Sequence, residues 1–83
     1  MITVTDTPNP ESKKFVFDID IVASGSKEIK SIKECSDIKF AERIFASGLS
    51  ELIYIDTNFV TIKKTAGKNW DEIKQDILNI LLE

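Results

Sequence analysis

Apolar and polar residues alternate at the start of the chain. Within ITVTD, at positions 2–6, Ile2 and Val4 fall on the same face of an extended backbone. The alternation returns with four apolar residues, each two positions from the next: Phe15, Phe17, Ile19 and Ile21. A period of two is typical of a strand with one buried face. The pattern therefore predicts two β-strands, of which the second reaches Ile21.

Two prolines lie between these strands, in the run TPNPESKKF at positions 7–15. Pro8 and Pro10 have no N–H to donate to a sheet, and each proline disfavours the helical conformation of the residue before it. The run is therefore predicted to form a loop whose backbone the two rings stiffen. The prolines and Asn9 either set the turn of the first hairpin or also form a recognition surface, and the residues alone leave both interpretations open.

The segment VASGSKEIKSIKECS, at positions 22–36, has no clear period. Its Ser24, Gly25 and Ser26 indicate a turn. Ile29 and Ile32 are spaced to attach the segment to the core, as either a helical turn or an irregular strand. Both alternatives stay open at this point.

Helical spacing appears in SDIKFAERIFASG, at positions 36–48, where four apolar residues recur: Ile38, Ala41, Ile44 and Phe45. This spacing predicts an amphipathic helix of about three turns. Ser36 or Asp37 can cap its first turn, because a short polar side chain accepts from the free N–H groups there. Gly48 can end the helix, since glycine adopts positive φ without a Cβ penalty.

The run LSELIYIDTNFVTIKK, at positions 49–64, predicts a β-hairpin. Its two β-rich stretches, 52–56 and 59–63, are separated by Thr57 and Asn58, which suit a tight turn. One face carries the expected core residues Ile53, Ile55, Val60 and Ile62. The other face carries a second, partly exposed apolar patch of Leu52, Tyr54 and Phe59, and the register decides which set is buried.

A second amphipathic helix is predicted in NWDEIKQDILNILLE, at positions 69–83. Asn69 followed by Glu72 is a capping-box pattern. The apolar stripe of the helix consists of Trp70, Ile73, Ile77, Ile80 and Leu81.

These elements predict a single α+β domain over residues 1–83. Their order is ββαββα, and strands joined by short loops must run antiparallel. Two helices with apolar stripes need a surface on which to bury them. We therefore expect an antiparallel four-stranded sheet with both helices packed on one face.

The composition narrows the possible partners and compartments. Fourteen acidic and 11 basic residues give a net charge of −3, which disfavours binding to nucleic acid. No apolar run approaches the roughly 20 residues that span a bilayer, and the first ten residues lack the features of a signal peptide. A single cysteine favours a reducing compartment. We therefore expect an untargeted cytoplasmic protein with no nucleic-acid or membrane partner.

Few residues are candidates for chemistry. The sequence has no histidine to act as a base, so Cys35 is expected to be a structural thiol, although a helix N-terminus nearby could lower its pKa. Asp18 and Asp20 could bind a hard cation or act as acid and base, but a solvated strand face is the favoured interpretation. Trp70 is expected in the core. No nucleophile, base and orienting group can be named together, so we expect neither catalytic residues nor an enzyme.

Several lysines would lie close together if the second and fourth predicted strands end near one another: Lys13, Lys14, Lys63, Lys64 and Lys68. Such a basic patch would suit an acidic partner surface. Scattered lysines that keep the domain soluble are the favoured alternative.

The run TPNPESKKF resembles the TPNPxSLKF signature of the N-terminal domain of Nfu-type (NifU-like) iron–sulfur scaffold proteins. IVASGSKEI is similar to that family's V-x-SG-T-x-x-F stretch, and SDIKFAERIFASGLSELIYIDTNFVTIKK to its SPLA-x-x-LF-x-x-x-GV-x-x-VF-x-x-DFITV-x-K stretch. NWDEIKQDILNILLE resembles its WxxLKPxIxxxIxE ending. The similarity keeps its order over nearly the entire chain, with departures at Glu11, Lys13 and Asn58, where the family usually has Asn, Leu and Asp.

The resemblance implies a ββαββα domain that accompanies iron–sulfur cluster assembly without holding the cluster. In full-length members a C-terminal domain with a CxxC motif carries the cluster, and two motifs from two subunits supply four thiolates. This sequence has no CxxC motif, so we expect either a free-standing copy of the N-terminal domain or a fragment. Iron binding is then implied only at the level of the family, with no cofactor and no metal ligand on this chain.

The signature also implies candidate partner-binding residues: Thr7, Pro8, Asn9, Pro10, Ser12 and Lys14. Phe15, which completes the motif, begins the core-facing set of the second strand. We therefore expect a monomeric, non-enzymatic interaction module that binds scaffold or client proteins of iron–sulfur assembly. The alternative is a metal or small-molecule binding protein of unrelated role.

Overall fold

A computed structural model describes residues 1–21, 25–35 and 38–82 of the chain. Its described elements, in order, are β1 (Ile2–Asp6), β2 (Ser12–Phe17), β3 (Lys27–Ile29), a 3-10 turn (Ile32–Glu34), α1 (Lys39–Ala46), β4 (Ser50–Ile55), β5 (Phe59–Lys64) and α2 (Trp70–Leu81). The α+β class is confirmed. No helix in the described part of the chain is both long and apolar enough to span a membrane.

The described strands form one antiparallel sheet in the order β1-β2-β5-β4-β3. The prediction of four strands in the order ββαββα was wrong by one strand, because β3 adds to the free edge of β4. Ile29 faces Ile53 there and is fully buried. A strand of three residues with one apolar position is too short to show a period, which is why the pattern left this segment open.

The core lies between one face of the sheet and the two helices. Directly opposed residues of antiparallel strands point to the same face, and the inward rows join Val4 to Phe15, Phe15 to Val60 and Val60 to Ile55. The four predicted hairpin core residues, Ile53, Ile55, Val60 and Ile62, are each at most 1% exposed. The helices contribute a second set of buried residues to this core: Ala41, Ile44, Trp70, Ile73 and Ile77.

Strand β2 ends at Phe17, four residues before the predicted end. The N–H groups of Phe17 and Ile21 donate to the oxygens of Asn58 and Thr57, at 2.7 and 2.6 Å. Because these acceptors are neighbours in the β4–β5 turn, the chain between the two donors is forced outward. Ile19 is consequently 66% exposed, although its spacing predicted an inward position.

Helix α1 is shorter than predicted, with eight residues. Ile38, whose side chain cannot accept a hydrogen bond, precedes its first residue. The predicted caps Ser36 and Asp37 lie outside the described residues. Gly48 has a φ of 72° just after the helix, as its sequence position indicated.

Helix α2 begins at the predicted cap. The side-chain oxygen of Asn69 accepts from the N–H of Asp71 at 2.9 Å, rather than from the N–H of Glu72 that a capping box would use. Trp70, Ile73 and Ile77 are buried, whereas Ile80 and Leu81 are half-buried at the edge of the core. The apolar stripe is thus confirmed.

Candidate interaction site

The loop between β1 and β2 is held by a set of short-range hydrogen bonds. The hydroxyl of Thr7 lies 2.8 Å from the oxygen of Asn9 and accepts from the Asn9 N–H at 3.1 Å. The side-chain oxygen of Asn9 in turn accepts from the Glu11 N–H at 2.9 Å, and Ser12 N–H donates to the Asn9 oxygen at 3.0 Å. The loop therefore has a defined conformation before any partner arrives, and Asn9 does bond within its own turn.

Tertiary contacts hold the end of this loop against the rest of the domain. The backbone oxygen of Glu11 accepts from Trp70 Nε1 at 3.2 Å and from the Lys64 N–H at 2.9 Å. These two bonds tie the loop to helix α2 and to strand β5.

Ion pairs flank the loop on both sides. Asp6 pairs with Lys13, and Glu11 pairs with Lys64. A hydrogen bond from Lys13 holds the pKa of Asp6 below its ordinary value, and a hydrogen bond from Lys64 does the same for the pKa of Glu11. Both carboxylates therefore keep their charge to lower pH than unpaired carboxyls would, and their ion pairs fix the two ends of the loop.

A cleft with a volume of about 300 Å³ lies beside the loop. Its lining consists of Asp6, Thr7, Pro8, Pro10, Ser12 and Lys13. Pro8, Asn9 and Pro10 are exposed at its rim. An ordered loop with exposed proline rings next to a cleft offers a fixed surface to a partner.

The structure brings most of the predicted site residues together, with one exception. The cleft is lined by Thr7, Pro8, Pro10 and Ser12, and the hydrogen bonds of Asn9 order the loop beside it. Lys14 instead points to the opposite face of the sheet, where its ammonium lies 4.2 Å from the centre of the Phe59 ring. Lys13 takes the place beside the cleft. Lys13 and Phe15 are two residues apart on one strand and so share a face. This spacing could have predicted that Lys13 lies on the inward face.

The face of the sheet opposite the helices is covered by no described element. Four partly exposed apolar residues lie on it, together with Lys14 and Lys63: Val16, Leu52, Tyr54 and Phe59. We call these six residues the open face. The Tyr54 and Phe59 rings contact each other with centroids 6.1 Å apart. The predicted patch of Leu52, Tyr54 and Phe59 is confirmed.

Leu52 shares the open face with Tyr54, two residues on, and a register shift between Ser50 and Leu52 turns Ser50 to the helix side instead. Ser50 is buried opposite Lys64. Its hydroxyl has the oxygens of Leu52 and Lys63 within donating distance, at 2.9 and 2.8 Å, and accepts from the Leu52 N–H at 3.2 Å. The hydroxyl thus satisfies backbone groups that the interrupted ladder would leave unpaired.

The five candidate lysines do not form one basic patch. Lys13 and Lys64 point to the helix side and Lys14 and Lys63 to the open face, because neighbouring strand residues alternate. Three of the four are paired with carboxylates: Lys13 with Asp6, Lys64 with Glu11 and Lys63 with Glu51. Lys14 forms no ion pair with any described residue.

The remaining candidates for chemistry lie in different environments. Cys35 is fully buried, and desolvation, with a smaller contribution from Glu42, raises the pKa of its thiol. The idea that a helix N-terminus lowers this pKa was therefore wrong. Asp18 and Asp20 are exposed, and Asp18 binds the N-terminal ammonium at 3.1 Å. Within residues 1–21, 25–35 and 38–82, no three acidic or thiol side chains are grouped as metal ligands would be.

Comparison with known families assigns the chain as a whole. Residues 2–83 match the family described as the N-terminal domain of scaffold protein Nfu/NifU. The chain belongs to this family. The resemblance read from the TPNP signature is thus confirmed over residues 2–83, and the family is linked to iron–sulfur cluster assembly.

Curated relatives of the Nfu family carry similar segments. The mitochondrial NFU1 iron-sulfur cluster scaffold homologs of Drosophila sechellia and Drosophila ananassae are each 26% identical over 83 residues, which is 99% of this chain and 29% of theirs. A NifU-like protein of Schizosaccharomyces pombe is 26% identical over 80 residues, or 94% of this chain and 31% of its own length. The chain therefore spans less than a third of these relatives.

Solved structures share the fold of this Nfu domain. The crystal structure of protein SAV1430 from Staphylococcus aureus superposes with a TM-score of 0.83 at 17% identity, covering 96% of both chains. The solution structure of SeR13 from Staphylococcus epidermidis gives a TM-score of 0.65 at 21% identity, covering 96% of this chain and 92% of the other. At such identities the likeness establishes the fold alone.

Proposed function

We propose that this domain is a non-enzymatic interaction module of iron–sulfur cluster assembly, which binds scaffold or client proteins through the TPNP loop without ligating the cluster. The observation that carries the proposal is the ordered, exposed loop beside the cleft. Membership of the Nfu family supports the pathway, and the relatives are named as scaffold proteins.

The geometry of the loop supports recognition because its ordering cost is met within the free domain. Hydrogen bonds accepted by the Thr7 hydroxyl and the Asn9 side-chain oxygen, together with the bond from Trp70 to the Glu11 oxygen, fix the backbone. A surface that is ordered in advance loses less entropy on binding than a flexible one. Pro8 and Pro10 then present rigid apolar rings that need no hydrogen-bond partner.

The number of cysteines supports the proposal that a partner protein, and not this chain, holds the iron–sulfur cluster. A cluster is usually held by about four thiolates, and the one cysteine here is buried under the helices with a raised pKa. The cluster is therefore cargo of the partner in this proposal.

A cytoplasmic, monomeric form remains our expectation, while the Drosophila relatives are named as mitochondrial.

Binding to two probes tests the proposal: a CxxC-bearing Nfu cluster domain and an apo client enzyme from the same organism. Calorimetry should detect binding to at least one, and Pro8→Ala with Pro10→Ala should weaken it by about tenfold, since loop order must then be supplied on binding. Asn58→Ala changes an exposed residue in the β4–β5 turn, at the opposite end of the sheet, and is the control. Equal affinities of the loop variant and the control would contradict the proposal.

Anaerobic reconstitution with iron and sulfide tests the second half of the proposal. The chain alone should show no visible cluster absorption after gel filtration. A cluster retained at one per monomer would contradict a role without cluster ligation, whatever the binding assays give.

A further inference from the structure

We propose that the open face binds an amphipathic helix of a partner protein that carries acidic residues beside its apolar stripe. This surface lies on the other side of the sheet from the helices and is distinct from the TPNP cleft. Its occupant is inferred from its shape, its apolar content and its charge.

The shape of the surface favours a helix. It extends across the three adjacent strands β2, β5 and β4, and a sheet face is normally covered by helices, as the other face of this sheet is. These three strands and the strand on either side of them span about 15–20 Å across the sheet. A helix of about 10–13 residues has this length. An added strand would instead pair with a sheet edge.

The apolar residues of the open face are adjacent to one another, so a partner side chain can contact several of them at once. Val16 pairs with Phe59, and Phe59 contacts Tyr54, so three side chains on three strands form one continuous patch. Leu52 extends it along β4, two residues from Tyr54. Tyrosine is enriched among the residues that dominate binding energy, and the Tyr54 hydroxyl lies 3.4 Å from Asp56 Oδ2, at the rim of the patch.

The charge of the surface selects an acidic partner. Lys14 spreads over the Phe59 ring and forms no ion pair with a described residue. Lys63 is only partly neutralised by Glu51, at 3.1 Å and with the lysine side chain 37% exposed. Glu28, at the β3 edge opposite Tyr54, pairs with Lys30 at 3.5 Å, so the other end of the face offers no unpaired positive charge. An incoming acidic residue therefore belongs over β2 and β5, which also sets the direction of the helix.

The same charges disfavour a second copy of this chain as occupant. Stacked open faces would set Lys14 of each copy against carboxylates that already pair within their own domain, Glu28 with Lys30 and Glu51 with Lys63. A second copy therefore supplies poorer charge complementarity than a partner with unpaired acidic residues. A complementary acidic helix has no such penalty.

The experiment uses a series of capped helical peptides of about 14 residues, with leucines at positions i, i+3, i+4 and i+7. Glutamates flank the leucine stripe in three different registers, and a matched series carries lysines in their place. Each peptide is titrated into the isotope-labelled domain, and amide shifts are followed by NMR. The glutamate peptides should shift Lys14, Val16, Tyr54 and Phe59, while the lysine peptides should bind at least about tenfold more weakly.

Two variants locate the interaction. Lys14→Glu should weaken binding of the glutamate peptides about tenfold and improve binding of the lysine peptides. Lys39→Glu makes the same charge change at an exposed residue of α1, on the other side of the sheet. It should leave the affinities for the glutamate and the lysine peptides unchanged. No binding by any glutamate peptide, shifts confined to other surfaces, or concentration-dependent shifts of the open face without peptide would overturn the proposal.

Discussion

Trp70 Nε1 donates a hydrogen bond of 3.2 Å to the backbone oxygen of Glu11, across 59 positions of sequence. The same indole packs against Phe15, with ring centroids 6.0 Å apart. A single side chain therefore connects helix α2, the core-facing side of β2 and the end of the TPNP loop. Loop geometry and helix docking are coupled through it.

Trp70→Phe separates the hydrogen bond from the packing. The ring contact with Phe15 is largely kept, and the Glu11 oxygen retains its bond from Lys64, so unfolding in urea should show a loss of only about 1 kcal/mol. Trp70→Ala removes the ring as well and should cost about 3–5 kcal/mol. Equal losses for the two variants would mean that the indole does not pack as described.

Ile77→Ala tests the docking of α2 at a position away from the loop. Ile77 is fully buried, and truncation of a buried isoleucine costs about 2–5 kcal/mol. Asp20→Asn changes an exposed residue and is the control, with little expected effect on the midpoint of urea unfolding. A comparable loss in the control would revive the carboxylate site that Asp18 and Asp20 suggested.

Cys35 should react slowly with a thiol reagent in the native domain and rapidly in urea. Its thiol is fully buried with a raised pKa. The unfolded chain ionises this thiol above its ordinary pKa of about 8.5 while the native state stays protonated, so stability falls as the pH rises from there. Cys35→Ala should lose this part of the alkaline dependence, as followed by urea unfolding at several pH values.

Acid should loosen the TPNP loop before it unfolds the domain. The pKa values of Asp6 and Glu11 are lowered by Lys13 and Lys64, so the stability that these pairs add is present above the unfolded carboxyl pKa of about 4 and is lost as the pH falls through the lower folded values. Amide shifts of residues 7–12 should report the change. In Lys13→Met with Lys64→Met, those shifts should no longer follow the two titrations.

Periodicity predicted the β4–β5 hairpin well because Ile53, Ile55, Val60 and Ile62 can be buried together in only one register. It failed at Ile19, where the end of β2 is set by hydrogen bonds to Thr57 and Asn58, far along the chain. Only some residues of the cleft could be predicted, because others are placed by contacts between distant parts of the chain. Its proline residues form a local signature, whereas the place of Lys13 beside Asp6 depends on strand pairing.

Thr7→Val tests whether the internal order of the loop contributes to binding. The substitution keeps the side-chain shape but removes the hydroxyl that bonds to Asn9. Thr65→Val is the matched control, because the Thr65 hydroxyl makes a comparable bond of 2.9 Å to the Gly48 oxygen in the α1–β4 connection. Each variant should lose about 1 kcal/mol or less of unfolding free energy. Only Thr7→Val should also lose affinity for the scaffold or client protein, by about tenfold in calorimetry, since its partner must now order the loop. If both variants bind alike, the hydroxyl and the two prolines serve the hairpin alone.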